Sequence, residues 1–197
     1  MSGSFFPMIA RMRYINRWGL MRNTDVENIQ EHSHMVAVLA HALAVIQNRY
    51  FGPQIDPGQA AVAALYHDAS EILTGDMPTP VKYKNEALRS AYKAVEQESA
   101  RLMASLQPEA LRSETEEFLT GRVLNDAERK ILKAADRLSA LIKCLEECQS
   151  GNREFEAARE QQLAALHGMD CPEAEYFITH MLPCYTQNLD ELTRGRF

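Results

Sequence analysis

The sequence contains little that would cross-link a chain or carry it through a membrane. Its 197 residues include four cysteines but no C-x-x-C pair, which argues against a zinc ribbon and favours free thiols in a reducing compartment. No stretch approaches the roughly 18 consecutive apolar residues that span a bilayer. The first residues lack the apolar segment and cleavage site of a signal peptide. We therefore expect a cytoplasmic location and no membrane partner.

Several patterns of other protein classes are also absent. The sequence shows no strand-like alternation of apolar and polar residues, no Rossmann glycine fingerprint and no P-loop. The formal net charge is -6, which argues against a surface for a nucleic-acid polymer. No internal repeat or low-complexity linker divides the chain. Because 46% of the residues are hydrophobic, the chain has enough apolar surface for one core, and we expect a single domain over residues 1–197.

The sequence does contain helical periodicity along most of its length. Apolar residues recur at helical spacing over residues 25–48, and Asp56 followed by Pro57 is typical of a helix start. The run AAVAALYHDASEIL predicts one almost wholly buried helix that ends before Gly75. Further helices are predicted over residues 84–106, 109–120, 125–151, 154–166 and 172–192. The expected fold class is therefore an all-α, single-domain helical bundle.

Three ionisable side chains stand close together at the end of the buried run. On a helix, Glu71 lies one turn after both His67 and Asp68, so the three side chains can converge. A buried charge is costly unless it is paired or binds a metal, and one divalent cation would satisfy these groups together. An internal histidine–glutamate pair with a solvated aspartate is the alternative, and the His-Asp dipeptide alone does not exclude it.

Two more candidates for a buried site lie elsewhere in the chain. His32 shares the apolar face of its predicted helix, whereas His34 and His41 share a different face. We therefore predict His32 as an interior ligand, and His34 and His41 as surface residues or neighbours of the site. Asp136 is flanked by small residues that let another helix approach closely. The alternatives are a core histidine bonded to a carbonyl and a solvated aspartate paired with a lysine.

The order His32, His67-Asp68 and Asp136 on an all-helical chain resembles the HD-domain metal-dependent phosphohydrolases. Longer blocks resemble one branch of that superfamily, the bacterial 5'-deoxynucleotidases, over nearly the whole chain. These blocks are INRWGLMRN at residues 15–23, EHS at 31–33, YHDASEILTGDMPTPVKY at 66–83 and KCLEE at 143–147. The chain departs from the family pattern at Gly19, where proline is expected, and at His34, where an apolar residue is expected.

The resemblance implies a metal-dependent enzyme that hydrolyses deoxyribonucleoside 5'-monophosphates to the deoxynucleoside and phosphate. It further implies broad base tolerance and selection against ribonucleotides. The implied metal ligands are His32, His67, Asp68 and Asp136. Two imidazoles and two carboxylates suit one divalent transition metal (Co, Mn, Zn, Ni or Fe) better than Mg or Ca. Glu71 is the implied catalytic acid/base, and orientation of His67 is its alternative role.

The resemblance also implies a substrate pocket. Arg17 would bind and orient the phosphate through its planar fork of donors, and so take part in catalysis. Trp18 would pack against the sugar where a 2'-hydroxyl would project, and Asp76 would accept a hydrogen bond from the 3'-hydroxyl. Without the resemblance, a surface arginine, a core tryptophan and a turn-forming aspartate are the simpler readings. The remaining lining residues would be Met77, Pro78 and Thr79.

Two other functions stay open at the level of sequence. Another HD-type nucleotide phosphohydrolase, such as a phosphodiesterase or a triphosphate hydrolase, would use the same metal site. A non-enzymatic helical binding module would instead carry the histidines and carboxylates as buried polar pairs. Similar proteins are homodimers, and the late helices, which are rich in Leu and Met, are the candidate interface. Helical periodicity alone does not separate an interface from a core.

Overall fold

The computed structural model describes residues 3–52, 54–82 and 84–194, and within these ranges the chain is helical and forms no β-strand. The helices are α1 (Phe5–Ile9), α2 (Ile29–Ile46), α3 (Pro57–Tyr66), α4 (Glu71–Thr74), α5 (Thr79–Lys82), α6 (Glu86–Ser105), α7 (Glu109–Leu119), α8 (Asp126–Gln149), α9 (Glu156–His167), α10 (Pro172–His180) and α11 (Leu189–Thr193). Short 3₁₀ turns span Ala10–Tyr14, Arg153–Phe155 and Leu182–Thr186, and a π turn spans Gln47–Phe51. The predicted all-α class is confirmed.

The core forms around α2, which packs against α3 and α8. The apolar positions predicted for α2 are all buried, and they are Ile29, Val36, Leu39, Leu43 and Ile46. Ala134 and Ala135 of α8 are fully buried, and their small side chains allow the close approach of α2 that the sequence predicted. A second buried cluster joins Phe5 and Met12 to α6 and α7. His34 and His41 are exposed, as the helical phase predicted.

Side-chain caps determine where the main helices begin. Asn28 caps α2 by accepting from the backbone N–H of Gln30 and Glu31, and the Glu31 side chain completes a capping box. Asp56 caps α3 with Pro57 at its first position, as predicted. Asn125 caps α8 with a second capping box. The four cysteines form no disulfide, and no helix in the described ranges has the length and apolar character needed to cross a membrane.

The prediction of one buried helix over residues 60–73 is wrong. Helix α3 ends at Tyr66, residues 67–70 form a tight turn, and α4 begins at Glu71. Val62 and Leu65 are 38% and 43% exposed, so α3 is not wholly buried. Consecutive residues of a continuous helix point about 100° apart. The turn relieves this constraint and lets both His67 and Asp68 face the same interior site.

The prediction of one helix over residues 172–192 is also wrong. Helix α10 ends at His180, a 3₁₀ turn follows, and α11 begins after Asn188, which caps it. Pro183 lies in the 3₁₀ turn, where its missing N–H and fixed φ prevent α10 from continuing.

A buried carboxylate ties α8 to the loop that precedes α2. Glu147 accepts from the backbone N–H of Thr24 (2.9 Å) and Asp25 (3.2 Å), from the side-chain amide of Asn152 (2.7 Å) and from the ammonium of Lys143. Its side chain is 1% exposed. Burial alone would raise the pKa of Glu147, but these hydrogen bonds outweigh it and hold the pKa below the usual carboxyl range.

We predict that Glu147→Ala lowers the free energy of unfolding by roughly 3 kcal/mol or more, because it leaves the buried Lys143 ammonium and two backbone N–H groups unpaired. Urea unfolding at pH 7 measures the change. Glu146→Ala, on the exposed side of the same turn, is the matched control and should stay within about 0.5 kcal/mol of the wild type. Because the folded-state pKa is depressed, the contribution of Glu147 is present above the unfolded carboxyl pKa and is lost as the pH falls below it. Equal stability of the two variants would contradict the role of Glu147.

Candidate metal centre and active site

Four predicted side chains from three parts of the fold meet at one point, with His32 buried and Asp136 partly exposed. His32 of α2 and His67 and Asp68 of the turn after α3 each offer a ligand atom, and these atoms lie within 4.8 Å of one another. Nε2 of His67 is 3.2 Å from Oδ2 of Asp68, and Nε2 of His32 is 3.6 Å from the same oxygen. Oδ1 of Asp136, on α8, is 3.1 Å from Nε2 of His32. Their assignment as metal ligands stays a prediction.

The chemistry of these donors fits a divalent cation. Nδ1–H of His67 donates to the carbonyl of Ala64 at 2.7 Å, which leaves its buried Nε2 facing Oδ2 of Asp68 at 3.2 Å. Nδ1 of His32 lies 3.1 Å from Oγ of Ser139 and 2.8 Å from Nη1 of Arg17, and its Nε2 faces the carboxylates. Contacts of this kind orient the two imidazole rings so that each presents Nε2 to the interior of the cluster. Sequence reasoning missed Ser139, which it treated only as a small neighbour of Asp136.

Histidine–carboxylate interactions stabilise the cluster. Burial acts to lower the pKa of His67, but the charge and hydrogen bond of Asp68 outweigh it and raise the pKa to about 9. Burial also opposes ionisation of the two carboxyls. His67 nevertheless holds the pKa of Asp68 below its ordinary value, and a hydrogen bond with His32 does the same for Asp136. Metal ligands must be deprotonated, so a divalent cation bound by these groups would displace the proton of His67.

Glu71 lies beside the cluster without joining it. It is the first residue of α4 and is 6% exposed, and its Oε2 finds no hydrogen-bond partner in the described ranges. Burial raises the pKa of Glu71 to about 10, and the negative charge of Asp68 adds to the effect. A buried carboxyl that holds a proton next to the reacting atoms has the properties of a general acid/base. The catalytic role of Glu71 stays a prediction.

Arg17 and Trp18 meet at a carboxylate that sequence reasoning missed. Nη1 of Arg17 donates to Oε2 of Glu27 at 2.7 Å and lies 2.8 Å from Nδ1 of His32. Nε1 of Trp18 donates to the same Glu27 oxygen at 2.9 Å, and its ring packs against Phe155 with 5.3 Å between centroids. No sequence signal identified Glu27, because its partners stand nine and ten residues away in an irregular loop.

A cavity of about 680 Å³ opens next to this cluster. Asp76 stands at its wall, where its carboxylate accepts a hydrogen bond from the backbone N–H of Trp18, and burial raises the pKa of Asp76 above its usual value. Of the residues predicted to bind substrate, Arg17, Trp18, Asp76, Pro78 and Thr79 line the cavity and Met77 does not; their role in binding stays a prediction. Asp136 also reaches it, so the cavity leads to the proposed metal ligands.

Another part of the cavity wall comes from residues that sequence reasoning missed. Lys133 and Arg137 of α8 and Gln161 and Gln162 of α9 line it, and Arg137 donates to the Gln162 side chain at 3.2 Å. The packing of α9 on α8 brings them there. Read singly, each looks like an ordinary polar residue on the surface of a helix.

A smaller cavity of about 330 Å³ lies against the other members of the cluster. His67 and Asp68 line it together with Lys82 and Glu96. The Lys82 ammonium donates to Glu96 at 2.7 Å and stands 4.8 Å from the centre of the Tyr92 ring. The metal-ligand candidates therefore lie between two openings, and the charge of Lys82 is paired within the protein.

The chain is similar to proteins of one enzyme family over nearly its whole length. The family model described as 5'-deoxynucleotidase YfbR-like matches residues 4–185. A 5'-deoxynucleotidase of Vibrio atlanticus is 43% identical over 189 residues, which cover 96% of this chain and 97% of the relative. The 5'-deoxynucleotidase YfbR of Escherichia coli is 43% identical over 190 residues, which cover 96% of each chain.

Solved structures share the fold at lower identity. An HD-domain phosphohydrolase of Listeria innocua superposes with a TM-score of 0.81 at 24% identity and covers 96% of this chain and 92% of its own. The HD phosphohydrolase of cyanophage S-2L, solved with dA and one catalytic Zn²⁺ ion, superposes with a TM-score of 0.69 at 20% identity. The superposition covers 92% of this chain and 96% of the phage protein. At these identities the two likenesses bear on the fold alone, and that fold is the HD-domain type.

We predict that His32→Ala and Asp68→Ala each weaken divalent-metal binding by at least ~10-fold, because each removes one donor from the cluster. Isothermal titration of metal-stripped protein with Zn²⁺ and Mn²⁺ measures the affinity, and elemental analysis counts bound ions. His34→Ala is the matched control, since His34 lies on the same helix but is exposed, and it should bind as the wild type does. Retention of a full complement of metal by Asp68→Ala would refute the site.

Proposed function

The chain belongs to the 5'-deoxynucleotidase YfbR-like family, and we propose that it hydrolyses deoxyribonucleoside 5'-monophosphates to the deoxynucleoside and phosphate. It is a hydrolase of phosphomonoesters with the HD-domain fold. One observation carries the proposal for this chain's own residues. Two imidazoles and two carboxylates converge at a nucleotide-sized cavity whose wall also carries Arg17 and Trp18.

We propose that His32, His67, Asp68 and Asp136 hold one divalent transition metal. When bound, such an ion polarises a phosphoryl oxygen and makes water a better nucleophile near neutral pH. The mixed nitrogen and oxygen donors are compatible with Co, Mn, Zn, Ni or Fe. The Zn²⁺ ion of the cyanophage HD phosphohydrolase supports zinc as the first metal to test.

Arg17 and Glu71 are the proposed catalytic residues beside these ligands. The Arg17 guanidinium is 2.8 Å from His32, so a phosphate that it binds lies next to the metal ligands. Water attacks phosphorus, the bond to the sugar 5'-oxygen breaks, and that oxygen takes up a proton. Glu71, whose pKa is raised by burial, is suited to give its proton to the leaving 5'-oxygen and then to take one from water, which returns it to its starting state.

The cavity wall accounts for the proposed choice of sugar and for the tolerance of bases. Trp18 would occupy the space of a 2'-hydroxyl, and Asp76 would accept from the 3'-hydroxyl, with Pro78 and Thr79 beside them. The amides of Gln161 and Gln162, which also line the cavity, can both donate and accept hydrogen bonds. A wall of this kind can pair with the edges of different bases, which supports broad base tolerance.

We also propose that the protein is a cytoplasmic homodimer. Leu189 and Leu192 of α11 are 74% and 43% exposed, and Met181 just after α10 is 38% exposed. These apolar side chains of the late helices support the interface that the sequence suggested. Light scattering of the purified protein tests the assembly, because a mass of one chain at micromolar concentration would contradict the dimer.

We predict that the metal-loaded protein hydrolyses dAMP much faster than AMP, and that it releases no phosphate from dATP or a cyclic dinucleotide. The physical reason is that Trp18 excludes the 2'-hydroxyl and that the cavity presents one phosphate to Arg17. Phosphate release from the four substrates, with Zn²⁺, Mn²⁺ and Co²⁺ in turn, measures the selectivity. Hydrolysis of dATP or the cyclic dinucleotide in preference to dAMP would favour another HD-type phosphohydrolase.

Glu71→Gln is the matched variant for this assay, because it keeps the shape of the side chain and removes the titratable proton of the carboxyl group. It should bind metal as the wild type does and hydrolyse dAMP ~100-fold or more slowly. Full turnover in this variant would exclude Glu71 as the acid/base. Absence of both metal and turnover in the wild type would instead favour a non-enzymatic binding module.

A further inference from the structure

One carboxylate oxygen contacts both side chains that the proposed function assigns to the phosphate and the sugar. Oε2 of Glu27 accepts from Arg17 and from the Trp18 indole, and Oε1 lies 3.8 Å from Nδ1 of His32. We propose that Glu27 is a positioning residue that determines where the Trp18 ring stands and thereby discriminates deoxyribose from ribose. This inference rests on the proposed function and adds a residue to its specificity.

Trp18 needs such an anchor because its backbone is in an unfavourable region. Its φ is 59°, a left-handed conformation that is uncommon for bulky side chains and persists where surrounding contacts impose it. The backbone N–H of Trp18 donates to Asp76, and its carbonyl accepts from the Asn23 side chain at 3.4 Å. These bonds hold the main chain. The ring itself packs against Phe155, and its hydrogen bond to Glu27 fixes the direction of its N–H edge.

Glu27 is itself held firmly enough to act as an anchor. Its carbonyl accepts from the backbone N–H of Arg17 at 2.9 Å, and two residues later the N–H of Ile29 donates to the carbonyl of Ile15 at 2.9 Å. The intervening Asn28 caps α2. Glu27 therefore stands between a pair of backbone hydrogen bonds and the start of the central helix, and its side chain is only 15% exposed.

The shared oxygen has a geometric consequence for selectivity. A ribonucleotide differs from its deoxy counterpart by one oxygen atom. A cavity wall that rejects the ribonucleotide must therefore not shift by the width of that atom. Because Arg17 and Trp18 bind the same oxygen of Glu27, the phosphate contact and the sugar wall keep a constant separation. If Glu27 is lost, the ring gains freedom to turn about its χ angles, and the 2'-hydroxyl finds space.

The experiment compares kcat/KM for dAMP and for AMP in Glu27→Ala, Glu27→Gln, Trp18→Phe and the double variant Glu27→Ala/Trp18→Phe. In Glu27→Ala the ratio of the two values should fall by roughly five- to tenfold, the effect expected of one hydrogen bond. Glu27→Gln retains an acceptor oxygen and should keep most of the ratio. Trp18→Phe retains a ring without the N–H donor and should lower the ratio to a similar extent.

The double variant separates positioning from general damage. Because both single changes break the same bond, the double variant should lower the ratio no further than either single change does. Glu31→Ala is the control for the start of α2, since Glu31 is exposed and belongs to the capping box. It should lower the melting temperature and leave the ratio unchanged.

Several results would overturn the inference. These are an unchanged ratio in Glu27→Ala, a loss in Glu27→Gln as large as in Glu27→Ala, and single effects that multiply in the double variant. If Glu27→Ala fails to fold, the other two single variants still test the inference. Glu27→Gln must keep the ratio, and Trp18→Phe must lower it. Failure of the proposed function looks different, since the wild type itself would then show no preference for dAMP over AMP.

Discussion

The structure depends on charges that are buried and therefore must be paired. His32 is fully buried and stands among the carboxylates of Asp68 and Asp136. A buried polar group without a partner is costly, so the elements that carry these groups must meet in one arrangement. The packing of α2 on α8 supplies it, and the same donors would hold a divalent cation in that arrangement.

Helix α8 connects the cluster to the loop that forms the cavity wall. Along one face it presents Asp136 and Ser139 to His32, and about two turns later Lys143 and Glu147 to the loop before α2. That loop carries Arg17, Trp18 and Glu27 back to the cluster. A single rigid helix therefore holds both the proposed ligands and the segment that would bind substrate, which keeps their separation constant.

Much of the site was predictable because helical periodicity states which residues face inward. The phase of α2 distinguished His32 from His34, and burial and exposure bear out that distinction. Periodicity failed where the chain leaves the helix. Helical periodicity predicted that Glu71 converges with His67 and Asp68 along one helix. In the structure a tight turn brings the metal-ligand candidates together, and Glu71 lies beside them. Turns of this kind respond to tertiary charge pairing, which local sequence does not report.

The sequence by itself determined most of the helices, the cap of α3 and the choice of His32, His67, Asp68 and Asp136 as interior candidates, because spacing and capping are local. Its resemblance blocks also indicated the family. Only the tertiary structure decided that Ser139 orients His32, that one oxygen of Glu27 joins Arg17 to Trp18, and that the two glutamines of α9 face the cavity. These contacts join residues from a loop and three helices. Which residues contact one another across these elements depends on how the helices pack, and spacing along the chain does not report that packing.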